Sequence, residues 1–137
     1  MNKVAVVTGG GSGIGQSAAF ELQKSGFTVY IVGRREEELK KTIKMSDIND
    51  PKIIAFPADI TNSNEVKSLF NKIKNDFGRI DVLFNNAGMG APRVPIEELK
   101  EEDWRKTVDV NLTGSFLCAQ QAVKLMKEQN PKGGRII

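Results

Sequence analysis

Between Val7 and Gly15 the chain reads VTGGGSGIG, five glycines within nine residues. Glycine inside a regular element costs roughly 0.5–1 kcal/mol relative to alanine, so this density marks a backbone that turns sharply or is approached closely. Such a loop ahead of a helix offers unpaired N–H groups and about half a positive charge. That is chemistry for an anion, and phosphate is the usual one. Gly10 to Gly15 satisfies G-x-x-x-x-G, but Gln16 follows where a nucleotide triphosphate loop needs lysine for the β/γ-phosphates. An ATPase or GTPase is therefore disfavoured. Gly13, Gly15 and Ala18 meet the dinucleotide spacing G-x-G-x-x-G/A, whose small third residue lets the helix pack closely on its strand. The alternative is a loop that merely turns.

Composition narrows the remaining chemistry. The chain has no histidine and a single cysteine, Cys118, so a zinc site is close to excluded and an internal disulfide is impossible. Cys118 sits in an apolar segment and reads as inert packing. The thiol content fits a reducing cytoplasm, the expected location. The 20 Lys and Arg stand against 17 Asp and Glu, a net charge of only +3. Basic residues are scattered among acids without interleaved aromatics, which argues against a nucleic-acid surface. No apolar run approaches the roughly 18 residues of a membrane span. The 137 residues suit one domain, short for an enzyme with a separate substrate-binding part.

The elements that must hold the glycine loop alternate in type. Val4 to Val7 is a β-branched run suited to a strand buried on both faces. Ile14, Ala18, Ala19 and Leu22 give the next helix an apolar stripe. Thr28 to Val32 predicts a strand, and Glu36 to Met45 a charged helix with Leu39 and Ile43 on its narrow apolar side and Glu36/Lys40 and Glu37/Lys41 pairs. Ile53 to Phe56, closed by Pro57, is the third strand. Asn62 and Glu65 resemble a capping box opening a helix with Val66, Leu69, Phe70, Ile73 and Phe77 on one face, stopped by Gly78. Ile80 to Phe84 is a fourth strand, and helical sequence from Glu101 to Glu128 places Trp104, Val108, Leu112, Phe116, Ala119, Val123 and Met126 together. The residues GGRII begin a fifth strand.

Strand and helix in strict alternation with short connections imply right-handed crossovers and a parallel sheet covered on both faces. The expected fold is α/β, a doubly wound Rossmann-like sheet, in one dinucleotide-binding domain over residues 1–137. Its ligand belongs beyond the carboxyl ends of the strands, where strand order reverses. Those ends are Thr8 onward, Gly33–Arg34, Ala58–Asp59 and Asn85 to Gly88.

Four motifs in order, TGGGSGIG (Thr8 to Gly15), Asp59, NNAG (Asn85 to Gly88) and Asn111, resemble the short-chain dehydrogenase/reductase family over nearly the whole chain. The resemblance implies that Thr8, Gly9, Ser12, Gly13, Ile14 and Gly15 hold the pyrophosphate and adjoining ribose of a nicotinamide dinucleotide. Asp59 would accept a hydrogen bond from the adenine amino group with Ile60 beside it; shaping the Asp59–Thr61 turn is the alternative. Asn86, Ala87 and Gly88 would line the ribose side, compatibly with a plain turn. Where the resemblance puts an acid for a free ribose hydroxyl, the chain has Gly33 followed by Arg34 and Arg35. Guanidinium binds a 2′-phosphate with paired, charge-assisted hydrogen bonds, so NADP(H) is favoured over NAD(H). Ser12 stands where phosphate-selective members often carry a second basic residue. A solvated helix-start arginine is the alternative for Arg34, and the preferred one for Arg35.

Asn111 lies three after Val108 and one before Leu112, near the expected inward face, where an unpaired amide costs about 1–3 kcal/mol. The resemblance implies a helix kink whose Asn111 carbonyl holds a water of the proton relay; a structural asparagine is the alternative. Hydride transfer to a carbonyl or alcohol also needs a proton donor, which the family supplies as tyrosine with a lysine four residues later and a serine. The one tyrosine, Tyr30, is followed four residues on by Arg34, which is not that motif. The sequence thus reads as the amino-terminal, cofactor-binding half of an oxidoreductase, truncated at its fifth strand and inactive alone. A non-catalytic dinucleotide-binding or interaction module is the competing class. The expected partner of the complete protein is a small carbonyl or alcohol, with homo-oligomers plausible from the family's habit.

Overall fold

The structure, a computed structural model, describes residues 2–137. Five parallel strands form one sheet in the order β3-β2-β1-β4-β5, with β1 Lys3–Thr8, β2 Phe27–Gly33, β3 Ile53–Pro57, β4 Val82–Phe84 and β5 Arg135–Ile136. Winding from β1 to β3 runs outward on one side, and β4 then returns to the other side of β1. The order therefore reverses between β1 and β4, which fixes the crevice at their carboxyl ends.

Alternate residues of β1 and β2 feed two cores. Val4, Val6, Tyr30 and Val32 pack with Leu69, Ile73 and Cys118 of α3 (Ser63–Phe77) and α5 (Ser115–Glu128) on one face. Ala5, Val7, Val29 and Ile31 pack with Ala19 and Leu39 of α1 (Gly13–Lys24) and α2 (Glu36–Lys44) on the other. Both sets are fully buried, which is why these strands read as unbroken apolar runs. Burying a leucine or isoleucine completely, as at Leu69 and Ile73, contributes about 1.5–3 kcal/mol each.

Local chemistry sets the element ends. Asn62 caps α3, its Oδ1 accepting from Asn64 and Glu65 N–H at 3.0 and 3.2 Å. The reciprocal arm differs from a capping box: Glu65 Oε1 accepts from the Asp59 N–H at 3.3 Å. Gly78 closes α3 in the left-handed region at φ 68°. The fourth strand is shorter than its apolar run, and side chains take part at its start. Gln129 bonds both Ile80 N–H and Ile80 C=O, at 2.8 and 2.9 Å, and Asp81 Oδ2 accepts the Val4 N–H at 2.8 Å.

Three helix faces depart from the sequence pattern. In α1 the buried residues are Gly15, Ala19 and Gln23, while Ile14 is 74% exposed; the glycine, having no side chain, hides the face it belongs to. In α2, Thr42 is buried beside Leu39, Ile43 is exposed, and Lys41 pairs with Glu38 at 2.9 Å rather than with Glu37. The long helical run is α4 (Glu101–Val108), a π-helical segment (Asp109–Gly114) and α5. Its buried face is Gly114, Cys118, Ala122, Leu125 and Met126, whereas Trp104, Leu112, Phe116 and Val123 are exposed. The seven apolar positions thus belong to two faces, only one of which meets the sheet.

Candidate dinucleotide site

At the reversal between β1 and β4 the glycine loop is tied to both flanking strand ends. Gly9 N–H donates to Val32 C=O at 2.8 Å. The fully buried Thr8 hydroxyl accepts from Asn86 and Ala87 N–H at 3.0 and 2.9 Å. Asn86 Nδ2 in turn donates to the Thr8 and Gly9 carbonyls at 3.1 and 3.3 Å. Gly9 takes φ 68°, and a Cβ on Gly15 would meet the Gly9 carbonyl oxygen. These two glycines let loop and helix touch backbone to backbone.

The opening of α1 is a set of free donors. Ser12 is its N-cap, with extended backbone and no side-chain capping bond. The first intrahelical bond runs from Gln16 N–H to Ser12 C=O at 3.2 Å, so the Gly13, Ile14 and Gly15 N–H groups precede the ladder. An uncapped helix start of this kind fits an anion.

A cavity of about 210 Å³ runs from this loop across the ends of β2, β3 and β4. Of the residues singled out by sequence, Gly9, Ser12, Arg34, Asp59, Ile60, Ala87 and Gly88 line it. Thr8 and Asn86 do not; their polar atoms are spent joining the two loops. Gly13 and Ile14 sit at the helix opening, Ile14 directed to solvent, and Gly15 is buried beneath the loop. Also on the wall are Arg35, Glu38, Met89 and Val110. Arg35 is exposed at the start of α2, as a solvated helix-start arginine would be, and also borders the cavity. Met89 and Val110 adjoin predicted motifs, and that adjacency was the signal available. Glu38 carried none, because a glutamate in the first turns of a charged helix is ordinary.

The wall carries both signs, with Arg34 near Asp59 and Arg35 near Glu38. Asp59 Oδ1 accepts the Thr61 hydroxyl and N–H at 2.7 and 2.9 Å, so the residue does shape its turn. Both bonds fall on one oxygen; Oδ2 receives none among the described residues. The Thr61 hydroxyl, then its N–H and the nearby Arg34 charge, hold the carboxyl below its ordinary range against the opposing effect of burial. A second cavity, of about 350 Å³, shares Arg34, Asp59 and Val110 with this one and adds Arg105 and Lys106 of α4.

Asn111 occupies the π-helical segment and is exposed, not inward-facing. Its amide is nonetheless bonded at both ends: Oδ1 accepts Met89 N–H and Nδ2 donates to Met89 C=O, each at 2.8 Å. The Ser115 hydroxyl donates to the Asn111 carbonyl at 3.0 Å, and Asn85 Nδ2 to the Ser115 carbonyl at 3.3 Å. The loop after β4 is thereby fastened to the π-helical segment near both of its ends. Tyr30 lies apart from this site, fully buried in β2, its hydroxyl donating to Asp76 Oδ2 at 2.6 Å. Burial and that carboxylate push its pKa well above the usual phenol range. Among the described residues, no helix is long and apolar enough to cross a membrane.

Comparison with known proteins follows the same outline. The model of the short chain dehydrogenase family matches residues 3–137. A 3beta-hydroxysteroid dehydrogenase from Mediterraneibacter gnavus is 38% identical over 135 residues, which cover 98% of this chain and 48% of the relative. The crystal structure of an NAD+-bound xylitol dehydrogenase superposes with TM-score 0.91 and 30% identity, covering 98% of this chain and 51% of that one. A metagenomic short-chain oxidoreductase in complex with NADP gives TM-score 0.90 and 29% identity, covering 98% and 60%. The chain spans about half the length of the curated relatives it matches.

Proposed function

The chain belongs to the short chain dehydrogenase family, and from that premise we propose that it holds a nicotinamide dinucleotide, NADP(H) in preference to NAD(H), across the carboxyl ends of its strands. In this proposal residues 1–137 are one dinucleotide-binding domain serving an oxidoreductase that acts on a carbonyl or alcohol. The observation that carries the proposal is the uncapped opening of α1, where Ser12 makes no capping bond ahead of the N–H groups of Gly13, Ile14 and Gly15. When bound, the coenzyme supplies or accepts the hydride.

The chain's own residues bind and orient. The α1 amides hold the diphosphate, Asp59 Oδ2 accepts the adenine amino group beside Ile60, and Ala87 and Gly88 admit the ribose. Thr8 and Asn86 act as positioning residues, holding those two loops at fixed separation. Arg34 takes the 2′-phosphate; support comes from its exposed position on the wall of both cavities. The Asn111 carbonyl, which accepts from the Ser115 hydroxyl, holds the relay water in this proposal. Association of copies and a cytoplasmic location belong to the same proposal, the former supported by the exposed Trp104, Leu112, Phe116 and Val123.

The 137-residue chain alone is proposed not to turn over, because its one tyrosine is buried and bonded to Asp76. That same observation favours a second reading, a non-catalytic dinucleotide-binding module. Titration calorimetry with NADPH and NADH tests the cofactor assignment: the wild-type chain binds NADPH more tightly, and Arg34→Asp reverses the order. Equal wild-type affinities would remove the preference. Steady NADPH oxidation by this chain with a panel of ketones would refute both the inactivity and the module.

A further inference from the structure

We propose that Glu38 is the counterweight to the arginine pair Arg34 and Arg35, setting how strongly the site discriminates between a dinucleotide carrying a 2′-phosphate and one with a free 2′-hydroxyl. The inference rests on the proposed function, since it requires a dinucleotide in the cavity that both residues line. Where the strand-end acid of a hydroxyl-selective site would stand, the chain has Gly33. Glu38, in the helix that follows, nevertheless borders the same cavity.

The placement of Glu38 is rigid. A Cβ on Gly11 would come within 3.0 Å of Glu38 Cβ, so the first turns of α2 rest directly on the glycine loop. Leu39 beside it is 1% exposed, and the buried Thr42 hydroxyl donates to the Gly10 carbonyl at 3.0 Å. These contacts hold the helix, and with it the Glu38 Cβ, against the glycine loop. Arg34 and Arg35 attract a phosphate at that end of the cavity, while Glu38 repels one and can accept from a hydroxyl. Lys41 pairs with Glu38 at 2.9 Å from the solvent side, its own side chain 67% exposed. The hydrogen bond and charge of Lys41, and then the charge of Arg35, hold the Glu38 carboxyl below its ordinary range, so the acid is ionised at neutral pH and its field is partly offset by that lysine.

Two substitutions therefore act in opposite directions. Glu38→Gln keeps volume and hydrogen-bonding capacity while removing charge; Lys41→Ala leaves the charge and removes its offset. NADPH and NADH are titrated at low salt into the wild-type chain and both variants, with circular dichroism confirming the fold. The ratio of NADH to NADPH dissociation constants should rise about 3- to 10-fold in Glu38→Gln and fall about 2- to 3-fold in Lys41→Ala, both effects shrinking at high salt. An unmoved ratio in either folded variant, with both coenzymes still binding the wild type, overturns the inference and leaves the proposed function standing. A wild-type chain that binds neither coenzyme overturns both.

Discussion

Replacing Gly15 by alanine adds one methyl group on the buried face of α1, against the Gly9 carbonyl oxygen and 2.5 Å from Asn86 Nδ2. Neither neighbour can yield freely. Gly9 is fastened to Val32 at 2.8 Å, and the Asn86 amide bridges the Thr8 and Gly9 carbonyls at 3.1 and 3.3 Å. Overpacking of this kind costs about 1–3 kcal/mol. Loss of the two amide bonds adds about 0.5–1.5 kcal/mol each, for a total of about 2–6 kcal/mol. Against a typical domain stability of about 5–15 kcal/mol, that is a large fraction. Gly26→Ala is the control: Gly26 has φ 87° and nothing within 4 Å of an added Cβ, so only the left-handed backbone is penalised, by about 1–2 kcal/mol. Urea unfolding followed by circular dichroism should show the larger loss for Gly15→Ala. Calorimetry should show weakened dinucleotide binding for that variant alone. Equal stability losses with unchanged affinity in both would refute the close-approach reasoning.

Three further outcomes follow from the side-chain geometry. Asp81 accepts Val4 N–H at 2.8 Å and Arg79 Nε at 3.0 Å; burial works to raise its carboxyl pKa, but Arg79 and the Val4 N–H outweigh it and hold the group low. A depressed folded value contributes stability present above the unfolded aspartate pKa of about 3.9 and lost as pH falls through the folded value. Asp81→Asn should thus cost about 1–3 kcal/mol at neutral pH and converge with wild type in strong acid, as read from thermal midpoints across pH. Asn111→Ala removes the acceptor of the Met89 N–H and should accelerate exchange of that amide in hydrogen-exchange NMR, while the amides of β1 keep their protection. Cys118 is fully buried, and that burial pushes its thiol up to about 12; native protein at pH 8 should resist iodoacetamide, whereas urea-unfolded protein reacts at once.

Elements whose pattern has one physical cause were legible in the sequence. The stripe of α3 is buried as spaced, because one face meets the sheet and the other meets water. The runs Val4–Val7 and Thr28–Val32 sit between two helical layers and need no alternation. The long run ending at Glu128 was harder, since apolar residues on its buried and exposed faces interleave at helical spacing, and the π-helical segment rotates one part against the other. Ile14 departs from its expected face for the opposite reason: the face that packs is made by Gly15, which periodicity does not count. At the site, the glycine loop and strand ends could be placed from residue type alone. That Thr8 and Asn86 hold loop to loop, and that Glu38 shares a wall with Arg34, depended on contacts between segments far apart or on helix rotation. Neither leaves a local signature.

The most direct test of the central claim is a crystal of this chain grown or soaked with NADPH. The diphosphate oxygens should lie within hydrogen-bond distance of the Gly13, Ile14 and Gly15 N–H groups, with the 2′-phosphate against Arg34. Well-ordered nucleotide density at any other position on an intact fold would contradict it.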